Sequence, residues 1–512
     1  MCGIAAEIQP RVRGEVDVVR VEKMLAEIRH RGDPENAGSA RALPGAALGC
    51  NRLAIVDREA AEQPMSDESG ELWVTFNGEI YNHAALREEL SRLGHVFRTG
   101  SDTEVLLHGY TEWGRELPAR LDGMFAFVVH DVKRREFLAA RDRIGVKPLY
   151  RCAQGDTLYF ASELKCFLPL ALDAEEFPPG HWTDGKETVR YHHEPQGRPS
   201  GTSRELAAEF GRRLEEAVRK RVDTDLPVGV IYSGGLDSAS VLALAARHHP
   251  DVTAISVGFP GSEDLEFAVR SCAELGIRHV VRNLTLDDLV RDLPERVRQT
   301  ETFETVDLMD ASVMAPAFEA AHELGLKVVL VGDGSDELLA GYDLFRTHPD
   351  PVELMRYRVG NLRRTDLQRV DRVSMHHTVE ARVPFLDRDV VDFAWRLPMD
   401  VKYRDGTEKW ILREAMADVL PSYLAERPKI RMPEGTGLYY QLLEHVRQLA
   451  PGGTLDRYPG LLERLGLDQP EAAYFLDLYL SLGHPVPESR YKRPGWDFSP
   501  NGYFVFSGAG AR

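Results

Sequence analysis

The sequence predicts two fold classes in one chain of 512 residues: a strand-rich α+β region, then an α/β parallel sheet with a helical C-terminal part. Three observations carry this. Up to about residue 170, short apolar runs such as Leu72 to Phe76, Gly123 to His130 and Phe137 to Ala140 are broken by Gly, Pro, Asn and Asp, which is strand patterning. After Arg204, the β-branched runs Val228 to Tyr232, Thr253 to Phe259 and Lys327 to Val331 alternate with helical stretches and end in Gly-rich turns. That pattern describes a parallel sheet covered on both faces. The length also exceeds one core, since domains run to roughly 100–200 residues.

In the first region one helix is expected, over Ala84 to Leu93, and Lys133-Arg134-Arg135 reads as a hairpin turn. Pro178 to Ser203 is rich in Pro, Gly and polar residues and reads as a linker or a loop-rich domain junction. From about Pro351 the pattern is mostly helical, and the Gly/Pro-rich end after Pro494 reads as a poorly ordered tail. The expected domains are residues 2–190, 205–440 and a helical extension with a tail over 441–512. No internal repeat is visible.

Hydrophobic residues make up 43% and charged residues 28%, the balance of a soluble globular protein. No apolar run approaches the ~20 residues that span a bilayer, and the start lacks signal-peptide character, so a cytoplasmic protein without a membrane partner is expected. The net charge of -18 argues against nucleic acid as a partner. Five cysteines occur without a Cys-x-x-Cys pair, so neither a zinc ribbon nor a disulfide framework is indicated. Cys50, Cys152, Cys166 and Cys272 read as buried packing residues. The His192-His193, His248-His249 and His376-His377 pairs lack metal-site partners at helical spacing.

Cys2 differs. Removal of Met1 would place a thiol and an α-amine on one residue, a nucleophile with its own base. Further on, Val230 to Ser238 is a strand running into a Gly-rich turn and a helix, which presents backbone N–H groups to a phosphate. It is no Walker loop, for no Gly-Lys-Ser/Thr follows. Ser233 and Ser238 supply hydroxyls there and Asp237 a ligand for Mg²⁺. A second strand and turn, Val329 to Glu337, sets Asp336 at a neighbouring strand end, able to flank the same metal.

These segments resemble the glutamine-hydrolysing asparagine synthetase family. The N-terminal part is similar to its class II glutamine amidotransferase domain, which implies an α+β N-terminal nucleophile hydrolase sandwich, through Cys2-Gly3-Ile4, Arg29 to Gly32, Asn51 to Asp57, Asn77 to Asn82, Ser101 to Glu104 and Asp142 to Gly145. The C-terminal part is similar to the ATP pyrophosphatase fold through Ser233 to Ser238, Gly332 to Glu337, Glu380 to Asp387 and Glu408 to Ala415.

The resemblance implies a role for each residue. Cys2 attacks the amide of L-glutamine, Asn77 and Gly78 form the oxyanion hole, Arg52 clamps the α-carboxylate, and Glu79 and Asp102 take the α-ammonium. Leu53, Ile55 and Val56 lie at the glutamine pocket, where an ammonia route begins. Tyr232, Ser233, Gly234, Gly235, Asp237, Ser238, Val257, Val331 and Gly332 contact ATP; Asp237 and Asp336 hold Mg²⁺. Lys429 neutralises pyrophosphate and Asp333 deprotonates the incoming ammonium. A carboxylic acid, aspartate foremost, attacks the α-phosphorus of ATP, and ammonia then displaces AMP. A homodimer is implied too.

Two segments depart from the family pattern. Asp333 stands where many members have Glu, and Asp307 to Asp310 replaces Thr-Thr-Ile-Arg. Another branch carries Asp at both places, so the ATP chemistry stands and the acceptor becomes the variable. The alternative is the same chemistry on a different carboxylic acid in specialised biosynthesis. A β-lactam-forming relative would not need the Cys2, Arg52, Asn77 and Asp102 set. An uncoupled glutaminase or a regulatory homologue would show itself by glutamate release without AMP.

Overall fold

The computed structural model describes residues 1–35, 38–430, 435–437, 439–449, 470–485, 496–498 and 504–506. It divides into two compact units, residues 1–195 with 375–380, and 196–374 with 381–512.

The first unit has two antiparallel sheets of six strands each among the described residues. Their strands are β1 (Cys2–Ile8), β2 (Ser39–Leu43), β3 (Ala46–Arg52), β4 (Met65–Ser66), β5 (Leu72–Ile80), β6 (Gly123–Asp131), β7 (Glu136–Arg141), β8 (Tyr150–Gln154), β9 (Thr157–Ala161), β10 (Glu175–Glu176), β11 (His181–Thr183) and β12 (Thr188–Arg190). One sheet runs β10-β8-β9-β1-β3-β2 and the other β12-β11-β7-β6-β5-β4.

Strand periodicity builds the layers. Ile4, Ala6 and Ile8 of β1 share a core with Ala126 and Val128 of β6, so the sheets pack face to face. The alternate residues Phe125, Phe127 and Val129 face a second core completed by Leu86, Leu90, Val105 and Leu106 from helices His83–Arg92 and Asp102–Trp113. Ala5 and Ala47 face a third with Val21, Met24 and Leu25 of the helix Val19–Glu27. This is the expected α+β sandwich.

The Lys133 to Arg135 turn lies between β6 and β7, as its charge suggested. The single expected helix is found one residue early, and further helices flank it. Asp102–Trp113 escaped because eight of its twelve residues, polar Asp102, Thr103 and Glu104 among them, are buried, which blurs its amphipathic stripe. The expected linker contains β11 and β12, three-residue strands at a sheet edge too short to show periodicity.

In the second unit the sheet order is β15 (Arg278–Asn283), β14 (Val252–Gly258), β13 (Val228–Ile231), β16 (Val328–Leu330), β17 (Glu380–Arg382). The pairs β13–β14, β13–β16 and β14–β15 are parallel, which confirms the α/β part. β13, β14 and β16 are buried throughout, as their continuous apolar runs require. β15 is a half-exposed edge and β17 reads Glu-Ala-Arg, so neither carried an apolar signal. The helix Leu236–His248 follows β13 directly, entered through Gly234 at φ 71°. Most of the expected tail after Pro494 lies outside the described residues.

Candidate active sites

In the first unit the register of β1 against β3 sets Cys2 opposite Arg52. The Cys2 thiol is buried, and the Cys2 N–H donates to Asn77 Oδ1 at 3.0 Å. Gln63 Nε2 lies 3.7 Å from the sulfur, while Gln63 Oε1 accepts the Phe76 N–H at 2.8 Å, tying the thiol to β5. A hydrogen bond with the Cys50 side chain brings the Cys2 thiol down to about 7, against burial and aided by the N-terminal charge and Arg52. Cys50 itself is pushed well above the ordinary thiol range, by burial first and then by Cys2. The pair therefore favours one thiolate near neutral pH, the nucleophilic form.

Asn77 Nδ2 is a buried donor without an acceptor among the described residues. Such a group costs about 1–3 kcal/mol. An orphan amide beside a nucleophile is what an oxyanion hole presents before the anion forms. Its neighbour Gly78 lies against β6 so closely that a Cβ would strike the Met124 carbonyl oxygen. Glu79, two residues beyond Asn77, and Asp102, which bonds to β5, are both buried. Asp102 Oδ2 accepts the Ile80 N–H at 3.0 Å, and burial pushes the Asp102 carboxyl up despite that bond. Arg52 donates to the carbonyls of Val56, Asp57 and Arg58 at 3.2, 2.9 and 3.1 Å, folding the following loop around its guanidinium. Leu53 and Ile55 are buried under that loop and Val56 is half-buried.

In the second unit a cavity opens at the C-terminal ends of β13 and β16. Ser233, Gly235, Asp237, Ser238, Val331, Gly332, Asp333, Asp336 and Lys429 all line it. The turn is held from within: Ser233 Oγ lies 3.1 Å from Ser238 Oγ and accepts the Gly235 N–H at 3.3 Å. Asp237 Oδ1 accepts from Ser335 Oγ at 2.7 Å.

Two lysines bridge the two aspartates. Lys409 Nζ lies 2.5 Å from both Asp237 Oδ2 and Asp336 Oδ1, and Lys429 Nζ lies 2.7 Å from Asp336 Oδ2 and 3.7 Å from Asp237 Oδ2. Burial pushes the Asp336 carboxyl up, but the two ammoniums outweigh it and hold it below the usual carboxylate range. Lys429 is likewise depressed by burial and, on balance, raised by Asp336 and Asp237.

The two carboxylates thus converge on a point that already accommodates a cation. Among the described residues no group of three or more His, Cys, Asp or Glu builds a protein-only metal cage. Two hard carboxylates completed by phosphate oxygens suit Mg²⁺, which prefers that mixed shell.

A second buried cluster borders the cavity. Arg369 gathers Asp366 at 2.8 Å, Asp310 at 3.0 Å, Asp333 at 3.4 Å and Asp307 at 3.6 Å. Burial brings Asp333 up to about 6, with Arg369 opposing. Asp307 is pushed well above the carboxylate range, by burial and then by Glu304.

Tyr232, Gly234 and Val257 do not line the cavity. Tyr232 Oη pairs with Ser271 Oγ at 2.5 Å, the Gly234 carbonyl accepts from Arg427 at 2.9 Å, and Val257 is buried on β14. Gln63, Cys50, Lys409 and Arg369 escaped the sequence reading. Lys409 lies inside the Glu408 to Ala415 segment that signalled the family, so its neighbourhood was flagged. No spacing betrays Gln63 or Arg369, which reach their sites from distant parts of the chain.

Residues 1–179 match a family model described as a glutamine amidotransferase domain, and residues 209–352 and 346–469 match one described as asparagine synthase. Asparagine synthetase [glutamine-hydrolyzing] 3 of Arabidopsis thaliana is 36% identical over 467 residues, covering 85% of this chain and 79% of the relative. Asparagine synthetase [glutamine-hydrolyzing] 1 of the same plant is 32% identical over 525 residues, covering 97% of this chain and 88% of the relative. Among solved structures, a glutamine phosphoribosylpyrophosphate amidotransferase from B. subtilis superposes at TM-score 0.33 and 18% identity over 70% of this chain and 89% of that one, too loosely to add to the fold.

Proposed function

The chain belongs to the glutamine-hydrolysing asparagine synthetase family, and we propose that it moves the amide nitrogen of L-glutamine onto the side-chain carboxylate of aspartate, cleaving ATP to AMP and pyrophosphate. The observation that carries this reading is one chain holding both a thiol against an orphan Asn77 amide and two aspartates sharing two lysines at adjacent strand ends.

In the glutaminase half, with Met1 removed, the Cys2 thiolate attacks the glutamine amide carbon and the α-amine carries the proton to the departing ammonia. Asn77 Nδ2 and the Gly78 N–H receive the oxyanion. Arg52 turns from the loop carbonyls to the substrate α-carboxylate, a bidentate task suited to guanidinium. Glu79 and Asp102 take the α-ammonium. Water then clears the glutamyl thioester. Leu53, Ile55 and Val56 offer an apolar start for ammonia, which must stay unprotonated.

In the synthetase half, Ser233, Ser238 and the N–H groups of the Gly234-Gly235 turn cradle the phosphates, with Val331 and Gly332 beside them. Tyr232, just past β13, and Val257 of β14 back the nucleotide pocket. Asp237 and Asp336 would hold Mg²⁺, which supplies charge neutralisation at the triphosphate. Lys429 and Lys409 neutralise pyrophosphate as it leaves. The acceptor carboxylate attacks the α-phosphorus, and ammonia displaces AMP from the acyl-adenylate. Asp333, near 6, is mostly ionised at neutral pH and accepts the proton that ammonium must lose. A homodimer, which the family implies, accompanies this reading and is checked by sedimentation velocity.

One observation favours a second acceptor. Asp307 and Asp310 crowd that side of the cavity with carboxylate around a single arginine. The same chemistry on another carboxylic acid is the reading that fits if aspartate fails.

The test is release of AMP and pyrophosphate with ATP, Mg²⁺ and glutamine, with and without aspartate, and mass spectrometry for asparagine. Equal amounts of AMP and asparagine are expected. Glutamate release with no aspartate-dependent AMP would overturn aspartate as acceptor.

A further inference from the structure

We infer that a cavity in the first unit, at the opposite end of β1 from Cys2, binds a small organic anion with an apolar body. Cys2 opens β1, and Pro10 and Arg11 of this cavity follow its other end. At ~3.3 Å per residue the two lie roughly 25 Å apart, so this is not the glutamine site. The cavity measures about 310 Å³ and is closed by the turn between β8 and β9, the turn between β11 and β12, and the start of β7. It does not depend on the reading of the active sites above.

Its floor is apolar. Phe137 and Leu138 are buried and Leu158 is half-buried. Phe137 and Leu158 pack in the same core as Cys2, which makes that floor part of the rigid sandwich and not a loop surface.

Into this floor projects one polar group. Tyr110 is 6% exposed and lines the cavity, yet its hydroxyl makes no hydrogen bond among the described residues. Burial, reinforced by Asp131 and Glu136, pushes the phenol up to about 12, so the hydroxyl keeps its proton and is a standing donor.

The rim sets the charge. Asp156 is taken by Arg11 at 2.7 Å, and Asp184 by Arg115, which also reaches Glu187 at 3.1 Å. Arg135 and Lys186 line the cavity with no ion partner among the described residues, against one such carboxylate, Glu136. In a chain of net charge -18, two uncommitted cations over an apolar floor with a donor hydroxyl form a local exception. A carboxylate would sit between Arg135 and Lys186, accept from Tyr110, and lay a flat apolar body on Phe137 and Leu158.

The probe is para-fluorophenylacetate, followed by fluorine NMR line broadening on the full chain with saturating ATP and Mg²⁺ present to occupy the nucleotide cavity. Broadening that survives ATP is expected, with the uncharged para-fluorophenylacetamide bound roughly tenfold more weakly. Arg135→Glu combined with Lys186→Glu, both exposed and outside the core, should weaken binding about tenfold or more. Tyr110→Phe, which keeps the ring packing, should weaken it about threefold or more. No ATP-insensitive broadening, or broadening indifferent to the charge reversal, overturns the site.

Discussion

Cys2 and Cys50 lie on paired strands, Cys2 opposite Arg52 and Cys50 opposite Ile4, and the hydrogen bond between their side chains divides their protonation unequally, lowering Cys2 and raising Cys50. With the Cys2 thiol near 7, glutamine-dependent turnover should rise through that pH and level above it. The kcat/KM profile for glutamine checks this. Cys50→Ala should move the inflection toward the ordinary thiol range, whereas Cys2→Ala should abolish use of glutamine and spare synthesis from ammonium salts. Asp333 carries the opposite sign. Its carboxyl sits at about 6 in the fold, above its ordinary 3.8, so the folded state is favoured while the group is protonated and loses that support as pH rises through 6. Asp333→Asn should therefore gain stability over the parent at pH 7, on the order of 3 kcal/mol by chemical denaturation, while ammonia-dependent synthesis falls. At this scale the sequence showed which residues carry chemistry wherever they lie in contiguous motifs. Gln63 and Cys50 were illegible because they meet Cys2 from distant parts of the chain, and Arg369 because three of its four carboxylates, Asp307, Asp310 and Asp333, lie more than thirty positions away.

Among the elements, the glycines are the sharpest constraints. A Cβ on Gly341 would meet Asp336 Oδ1 and Lys409 Cε, so Gly341→Ala must displace the aspartate from its lysine. Aspartate-dependent AMP formation should be lost while glutamine hydrolysis persists, a split read by assaying both on one preparation. Gly78→Ala drives a side chain into the backbone of β6 and should destabilise the first unit by about 1–3 kcal/mol along with loss of glutaminase activity. The strands that sequence located, β5, β6, β7, β13, β14 and β16, are those that are mostly buried and built largely from apolar residues. β11, β12, β15 and β17 lie at or near sheet edges or carry polar residues, and periodicity has nothing to report where burial does not alternate.

Taken as a whole, the molecule joins two units that bind different ligands, so each should respond to its own. ATP with Mg²⁺ at ~100 times its Kd should add about 2.7 kcal/mol to the unit holding Asp237 and Asp336, and differential scanning calorimetry should show that transition alone moving. None of the described helices is long and apolar enough to cross a membrane. The sequence by itself determined both fold classes, the order of the two units, the nucleophile, the phosphate-binding turn and the two aspartates, because strand periodicity, glycine turns and contiguous motifs are local properties of a chain. Only the tertiary structure decided that Cys50 tunes the thiol and Gln63 reaches it, that Lys409 joins Lys429 between the aspartates, that one arginine gathers four carboxylates, and that Tyr110 lines a second cavity. Proton affinity and charge pairing depend on what burial places within a few ångströms, and separation along a chain carries no record of that.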